Sequence, residues 1–240
     1  MNTRLKFVLI TLATLVAVSV TARLGLWQLS RASEKQARQS AVEAQGAKAA
    51  ITTDALRTAT DPLQLLHQHA HLRGTWVTSH RVFLENRPMN GRVGLLVVMP
   101  FLLEGGAAAV AVQRGWVPRG FDDRTLLPAI PTPTGVVEID GRLAMPPSDL
   151  YALGAPTGGP IRQNLDLPHF KAETGLPLMP ITLQQMGDAH DGLLRDWPVA
   201  NLGVEKNYGY AFQWFGMAAL CALLYLWFQI VRPFIHRPKD

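Results

Sequence analysis

Residues 208–231 read YGYAFQWFGMAALCALLYLWFQIV, 24 residues without a charged side chain. A helix needs about 20 apolar residues to cross a bilayer, so this run is read as a transmembrane helix. A second run, FVLITLATLVAVSVTA over 7–22, has Arg4 and Lys6 before it and Arg23 behind. It reaches spanning length when 24–27 are added and Arg23 extends toward the headgroups. Val20-Thr21-Ala22 also fits a signal-peptide cleavage site. Both fates of the first run stay open, and the second run anchors the chain in either case.

The flanks orient the spans. Of the formal net charge of +5, Arg4 and Lys6 supply +2, and Arg232, Arg237 and Lys239 less Asp240 supply another +2. By the positive-inside rule both termini are expected in the cytoplasm. The segment between, roughly 23–207, then lies across the membrane and carries only +1. The basic balance is therefore an orientation signal, and no nucleic-acid partner is expected. Cys221, the only cysteine, falls within the second span, so no intramolecular disulfide and no Cys-X-X-Cys site can form.

The expected organisation is a cytoplasmic tail (1–6), a transmembrane helix (7–27), a periplasmic domain (28–207), a second transmembrane helix (208–231) and a cytoplasmic tail (232–240). Within the domain, QLSRASEKQARQSAVEAQ is rich in helix formers and free of proline, which predicts a helical stalk over 28–46 stopped by Gly46. TTDALRTATDPLQLL reads as short helix and turn. A β-rich region over 69–200 follows, with strands expected at 69–77, 81–86, 94–103, 108–117, 136–143 and 178–185. Glu104-Gly105-Gly106 signals a hairpin, and Pro128 to Pro133 reads as an extended linker. The fold class expected is a membrane α+β protein, two transmembrane helices flanking an antiparallel β-rich extracytoplasmic domain.

At about 1.5 Å of rise per residue, each run brings one end to the outer interface. Trp27 reaches it from the first helix, and Asn207, Tyr210, Gln213 and Trp214 from the second. Trp27, Arg31 and Lys35 recur every four residues and share a helical face. Two cations stacked above an aromatic ring suit an anion or an acidic partner; a Trp belt with basic headgroup anchors, or Glu34 pairing with Arg31, accounts for the same residues. Within the β-rich region, Arg114-Gly115-Trp116 offers an arginine for carboxylates and a tryptophan for an apolar ring, or else a strand end filling the core. His67, His69 and His71 alternate as on one strand face. Three ligands on one strand rarely close a tetrahedron, so a solvated face is expected and no metal. Hydrolase, P-loop and Rossmann signatures are absent, and no catalytic residue is assigned, although Ser148 and Lys171 leave a Ser-Lys pair open by spacing.

Gly25-x-Trp27-Gln28-x-x-Arg31-x-x-x-Lys35, Asn86-Arg87 with Gly91 ahead of Met99-Pro100-Phe101, Arg114-Gly115-Trp116-Val117-Pro118 and Tyr210-Ala211-Phe212-Gln213-Trp214-Phe215 occur in this order. Together they closely resemble the Surfeit locus protein 1 family. The resemblance implies a non-enzymatic assembly factor for haem–copper cytochrome c oxidase in the bacterial inner membrane. Its partners would be the bilayer, the oxidase core subunit and other assembly factors. It implies haem a as a transient contact, with no cofactor firmly predicted. Site residues carried over are Trp27, Gln28, Arg31, Arg114, Trp116, Tyr210 and Trp214. Some relatives place a histidine where this chain has Asn207, and asparagine is not a useful axial ligand for haem iron. His190, His169 or Tyr210 would have to replace it. An envelope-anchored scaffold or sensor unrelated to respiration is the alternative.

Overall fold

The computed structural model describes residues 2–119, 127–147, 159–188, 190–197 and 203–235. Its elements are α1 (Thr3–Gly46), β1 (Ile51–Thr52), α2 (Thr53–Arg57), β2 (His69–Trp76), β3 (Val82–Met89), β4 (Arg92–Leu103), β5 (Ala109–Pro118), β6 (Val136–Ala144), β7 (Ile161–Arg162), α3 (Leu167–Thr174), β8 (Leu178–Gln185), α4 (Val204–Tyr225) and α5 (Arg232–Ile235). They form two compact units, Met1–Ala41 with Ala200–Asp240, and Val42–Val199.

The first unit pairs α1 with α4. No proline interrupts α1, and its second half is built from strong helix formers, so one helix runs through to Gly46. α4 continues through a π-helical turn, Leu226–Val231, into α5. Both helices are long and apolar enough to cross a membrane, and their apolar windows are not buried within the protein. Where they touch, the side chains are small: Ala32, Ala211 and Ala218 are buried. Gly25 belongs to this contact, because a Cβ there would lie 2.8 Å from Cζ of Phe215. Small residues let two helix backbones approach where water supplies no driving force. Thr11 and Tyr225 add a 2.8 Å hydrogen bond between the helices.

The second unit is a β-barrel with an extension. Around the ring β2 pairs with β6, β6 with β8, β8 with β5 and β5 with β4, and β4 returns to β2 through Gly74↔Leu103, Thr75↔Leu102 and Trp76↔Phe101. β4 is 12 residues long; its second half closes the ring while its first half pairs with β3, which carries β7 on its outer edge. Inward residues alternate as the pleat requires: Ala70 and Leu72, Phe101 and Leu103, Val110 and Val112, Ile139 and Leu143, Ile181 and Leu183 fill the interior. Leu56 of α2 joins this cluster and plugs one end, with Thr52 capping the helix through Ala55 N–H at 3.4 Å.

The expectation of an antiparallel sheet is corrected: the sheet is mixed. β1–β2, β3–β7 and β5–β8 are parallel pairs. β8 runs antiparallel to β6 and enters the ring between β6 and β5, so it must run with β5. Parallel neighbours need a long crossover. Between β7 and β8 lies α3, which is not among the expected elements; Asp166 caps it, Gly175 ends it in the left-handed region at φ 68°, and Leu167 and Phe170 are buried against the outside of β3–β5. His67 has φ 71° and precedes β2, so it does not share the strand face of His69 and His71.

Candidate functional site

On α1, Trp27, Gln28, Arg31 and Lys35 follow one another at helical spacing; on α4, Lys206, Asn207 and Tyr210 do the same. With Gly203 they line a single cavity of about 500 Å³. The sequence-predicted set Trp27, Gln28, Arg31 and Tyr210 is therefore brought together. Trp214 is half-buried and lies outside the lining.

Asn207 organises the polar side of the cavity. Its Nδ2 donates to Gln28 Oε1 at 2.6 Å, and its Oδ1 accepts from Lys35 Nζ at 2.8 Å. One amide thus ties the helices together and fixes an ammonium with two donor protons to spare. Lys35 is half-buried and meets a neutral partner, whereas Arg31 faces Glu34 at 3.0 Å with both side chains half exposed. Trp27 and Tyr210 are each just over half exposed. The cavity offers cations and aromatic faces, a combination that suits an anion on an apolar or aromatic body.

This geometry fits the carboxylates and ring face of a haem better than its iron. Asn207 has both ends of its amide engaged, and among the described residues no imidazole, thiolate or thioether lines the cavity. Tyr210, on the lining, is of a type that holds haem iron in other proteins. His190 and His169 belong to the barrel unit.

Arg114 occupies a different place. β4 and β5 shift register so that Val97 faces Gly115 and Val98 faces Gln113, leaving Arg114 as the extra residue of a β-bulge. Such a bulge re-aims a side chain. Gly115 has φ 152°, and an added Cβ would lie 2.7 Å from Leu193, so the bulge requires glycine. The turned Arg114 is buried at the end of the barrel away from Leu56. Its Nη1 donates to Thr132 Oγ1 at 2.6 Å, and its Nη2 to Asp191 Oδ2 at 2.8 Å and to the Pro131 carbonyl at 3.1 Å. Its guanidinium carbon lies 4.7 Å from the centre of the Trp76 ring. Arg195 shares Asp191 at 2.7 Å. Burial lowers the Arg114 pKa, and Asp191 opposes that shift. Arg114 is spent inside the protein and does not present itself to carboxylates.

Trp116 takes the second of its two readings, the strand end that fills the core. It is 1% exposed, its Nε1 donates to the Arg87 carbonyl at 2.7 Å, and it fills the core instead of covering a ligand. Lys171 sits on α3, while Ser148 lies outside the described residues. Among the described residues no histidine, cysteine and carboxylate cluster is arranged to hold a metal.

His71 has acidic neighbours that the sequence did not reveal, because they stand on β6. Asp140 lies 2.8 Å from Nδ1 and Glu138 3.5 Å from Nε2. The Asp140 hydrogen bond, followed by its charge, raises the His71 pKa. A raised folded-state pKa gives a stabilising contribution that is complete below the ordinary histidine value and is lost as pH rises through the raised one. An NMR titration is expected to place the His71 midpoint above that of a free histidine, and Asp140→Asn should bring it down. An unmoved midpoint in that variant would refute the assignment.

A comparison with curated proteins finds no match. The SURF1 family matches residues 15–219, from within the first apolar run to the last third of α4, and thus takes in the cavity residues and the whole barrel unit. With a match over that much of its length, the chain belongs to the SURF1 family.

Proposed function

We propose that this protein is a non-enzymatic assembly factor for haem–copper cytochrome c oxidase, held in the bacterial inner membrane by α1 and α4, with both termini cytoplasmic and the barrel unit in the periplasm. The SURF1 family is known for cytochrome c oxidase assembly, and the two apolar helices fit a membrane protein. The observation that carries the reading to particular residues is the cavity in which Trp27, Gln28, Arg31 and Lys35 face Asn207 and Tyr210. Its position on both helices, where the apolar runs end, supports a location at the outer interface. There it docks an acidic surface of the immature core subunit, or steadies the carboxylates of haem a in transit. No step is assigned to the iron, since among the described residues the lining offers it no imidazole, thiolate or thioether.

Reduced-minus-oxidised spectra of membranes from cells lacking the protein test this reading. Loss of the haem a band, with b- and c-type haems unchanged and recovery on complementation, is expected. Arg31→Ala should lower oxidase content while leaving the amount of this protein unchanged. An unaltered haem a band in the deletion strain would remove oxidase maturation and leave an envelope scaffold as the better reading.

A further inference from the structure

One end of the barrel is plugged by Leu56, and at the other the described residues leave a cavity. Trp76, Val137 and Ile139, with Pro131 and Pro133 from the extended segment, border this cavity of about 500 Å³. Barrel mouths of this size are common ligand sites. Two arginines stand in it, and both are occupied. Arg114 is bonded to Asp191, Thr132 and the Pro131 carbonyl. Arg195 is bonded to Asp191 and to the carbonyls of Arg114 and Asp188 at 2.7, 2.8 and 2.9 Å. Every guanidinium Nη of Arg114 and Arg195 is engaged, and the one N–H of the pair without a partner, Arg114 Nε, is buried.

What remains open is a set of acceptors. The Asp188 side chain is exposed and has no hydrogen bond among the described residues. Glu138 has its 3.5 Å contact with His71 and otherwise faces solvent. Gln185 Oε1 is a buried acceptor without a hydrogen-bond partner, and an unmatched buried acceptor calls for a donor. Among the lining residues, two arginines stand against Asp188, Asp191 and Glu138, one net negative charge, with Arg81 near enough to act on Arg114 from outside the lining. The walls beneath are aromatic and aliphatic.

From this we infer that the barrel mouth receives a lysine or arginine side chain of a partner protein. The apolar stem lies along Trp76 and the prolines, and the cationic head meets Asp188 and Glu138. Long basic side chains pair an apolar stem with a charged tip in this way. The rim residues Asp188, Glu138 and His190 are exposed, so a polypeptide can cross the opening while one side chain enters. This assignment is independent of the cavity between α1 and α4 and of the oxidase reading.

The test is an NMR titration of the full chain in nanodiscs, following the Trp76 indole N–H, identified with Trp76→Phe. The probes are the capped tripeptides Ala-Lys-Ala, Ala-Arg-Ala and Ala-Glu-Ala, with cadaverine beside them. The lysine and arginine peptides are expected to give saturable shifts and the glutamate peptide none. Asp188→Asn combined with Glu138→Gln, both at exposed positions and checked for an unchanged spectrum without ligand, should weaken binding about tenfold; Asp188→Asn alone should weaken it less. Binding of the glutamate peptide, no saturable shift with either basic peptide, or unchanged affinity in the double variant would overturn the proposal. Cadaverine binding as tightly as the peptides would overturn the protein partner in favour of a free amine.

Discussion

Asp191→Ala is expected to destabilise the barrel unit by about 3–5 kcal/mol, the usual consequence of removing one partner from a buried ion pair. Asp191 stands between two guanidinium groups whose side chains are only 3% and 8% exposed, at 2.8 and 2.7 Å. Arginine cannot escape burial by losing its proton, so the charge remains when its counterion goes. Thr132 and the Pro131 carbonyl would still bond Arg114, but neither carries a charge. The melting transition should fall by roughly 10 °C for a unit of this size, read by intrinsic fluorescence in detergent. Adding Arg114→Met should recover part of the loss, because one stranded cation disappears with it. A double variant as unstable as Asp191→Ala would show that the defect lies in the loop carrying Asp191 and not in uncompensated charge.

That network shows where sequence reading stops. The strand at 108–117 was legible from its β-type residues, and β5 occupies 109–118. The role of Arg114 was not, because it follows from a one-residue register shift against β4 and from Asp191, which lies 77 residues further on. Alternation reveals that a strand has an inner and an outer face but not the direction of its neighbour. The parallel β5–β8 pairing was therefore invisible, as was α3, whose eight residues give too short a pattern to separate from loop. Trp116 was ambiguous on paper for a related reason. The strand puts it on a definite face, but only the Arg87 carbonyl at 2.7 Å and its 1% exposure identify that face as core.

The cavity on α1 and α4 was far more legible. Helical spacing alone put Trp27, Arg31 and Lys35 on one face, and α1 carries Trp27, Gln28, Arg31 and Lys35 into one lining. What spacing could not supply was the function of Asn207. As a missing iron ligand it looked like a loss; in the structure it is the amide that links Gln28 to Lys35.

Lys35→Glu follows from that amide and should have the largest effect on function. The substitution removes the half-buried ammonium, sets a carboxylate against the Asn207 carbonyl oxygen, and puts a negative charge beside any anion held by Arg31 and Lys206. Like charges brought together at a docking surface cost several kcal/mol, and about 1.4 kcal/mol already amounts to a tenfold loss of binding. The haem a band of membranes is therefore expected to fall about tenfold or more, while the amount of this protein, measured by immunoblot, stays level, since Lys35 is not part of a packed core. Lys35→Arg should keep most of the oxidase, and Lys35→Met should lie between the two, because it removes the cation without introducing repulsion. That ordering separates charge from packing: methionine preserves much of the lysine stem, so a purely steric role would leave Lys35→Met near the wild type and Lys35→Arg impaired. Full oxidase content with Lys35→Glu would mean that the cations of this cavity serve the bilayer headgroups alone, and the docking surface would have to be sought on the barrel unit.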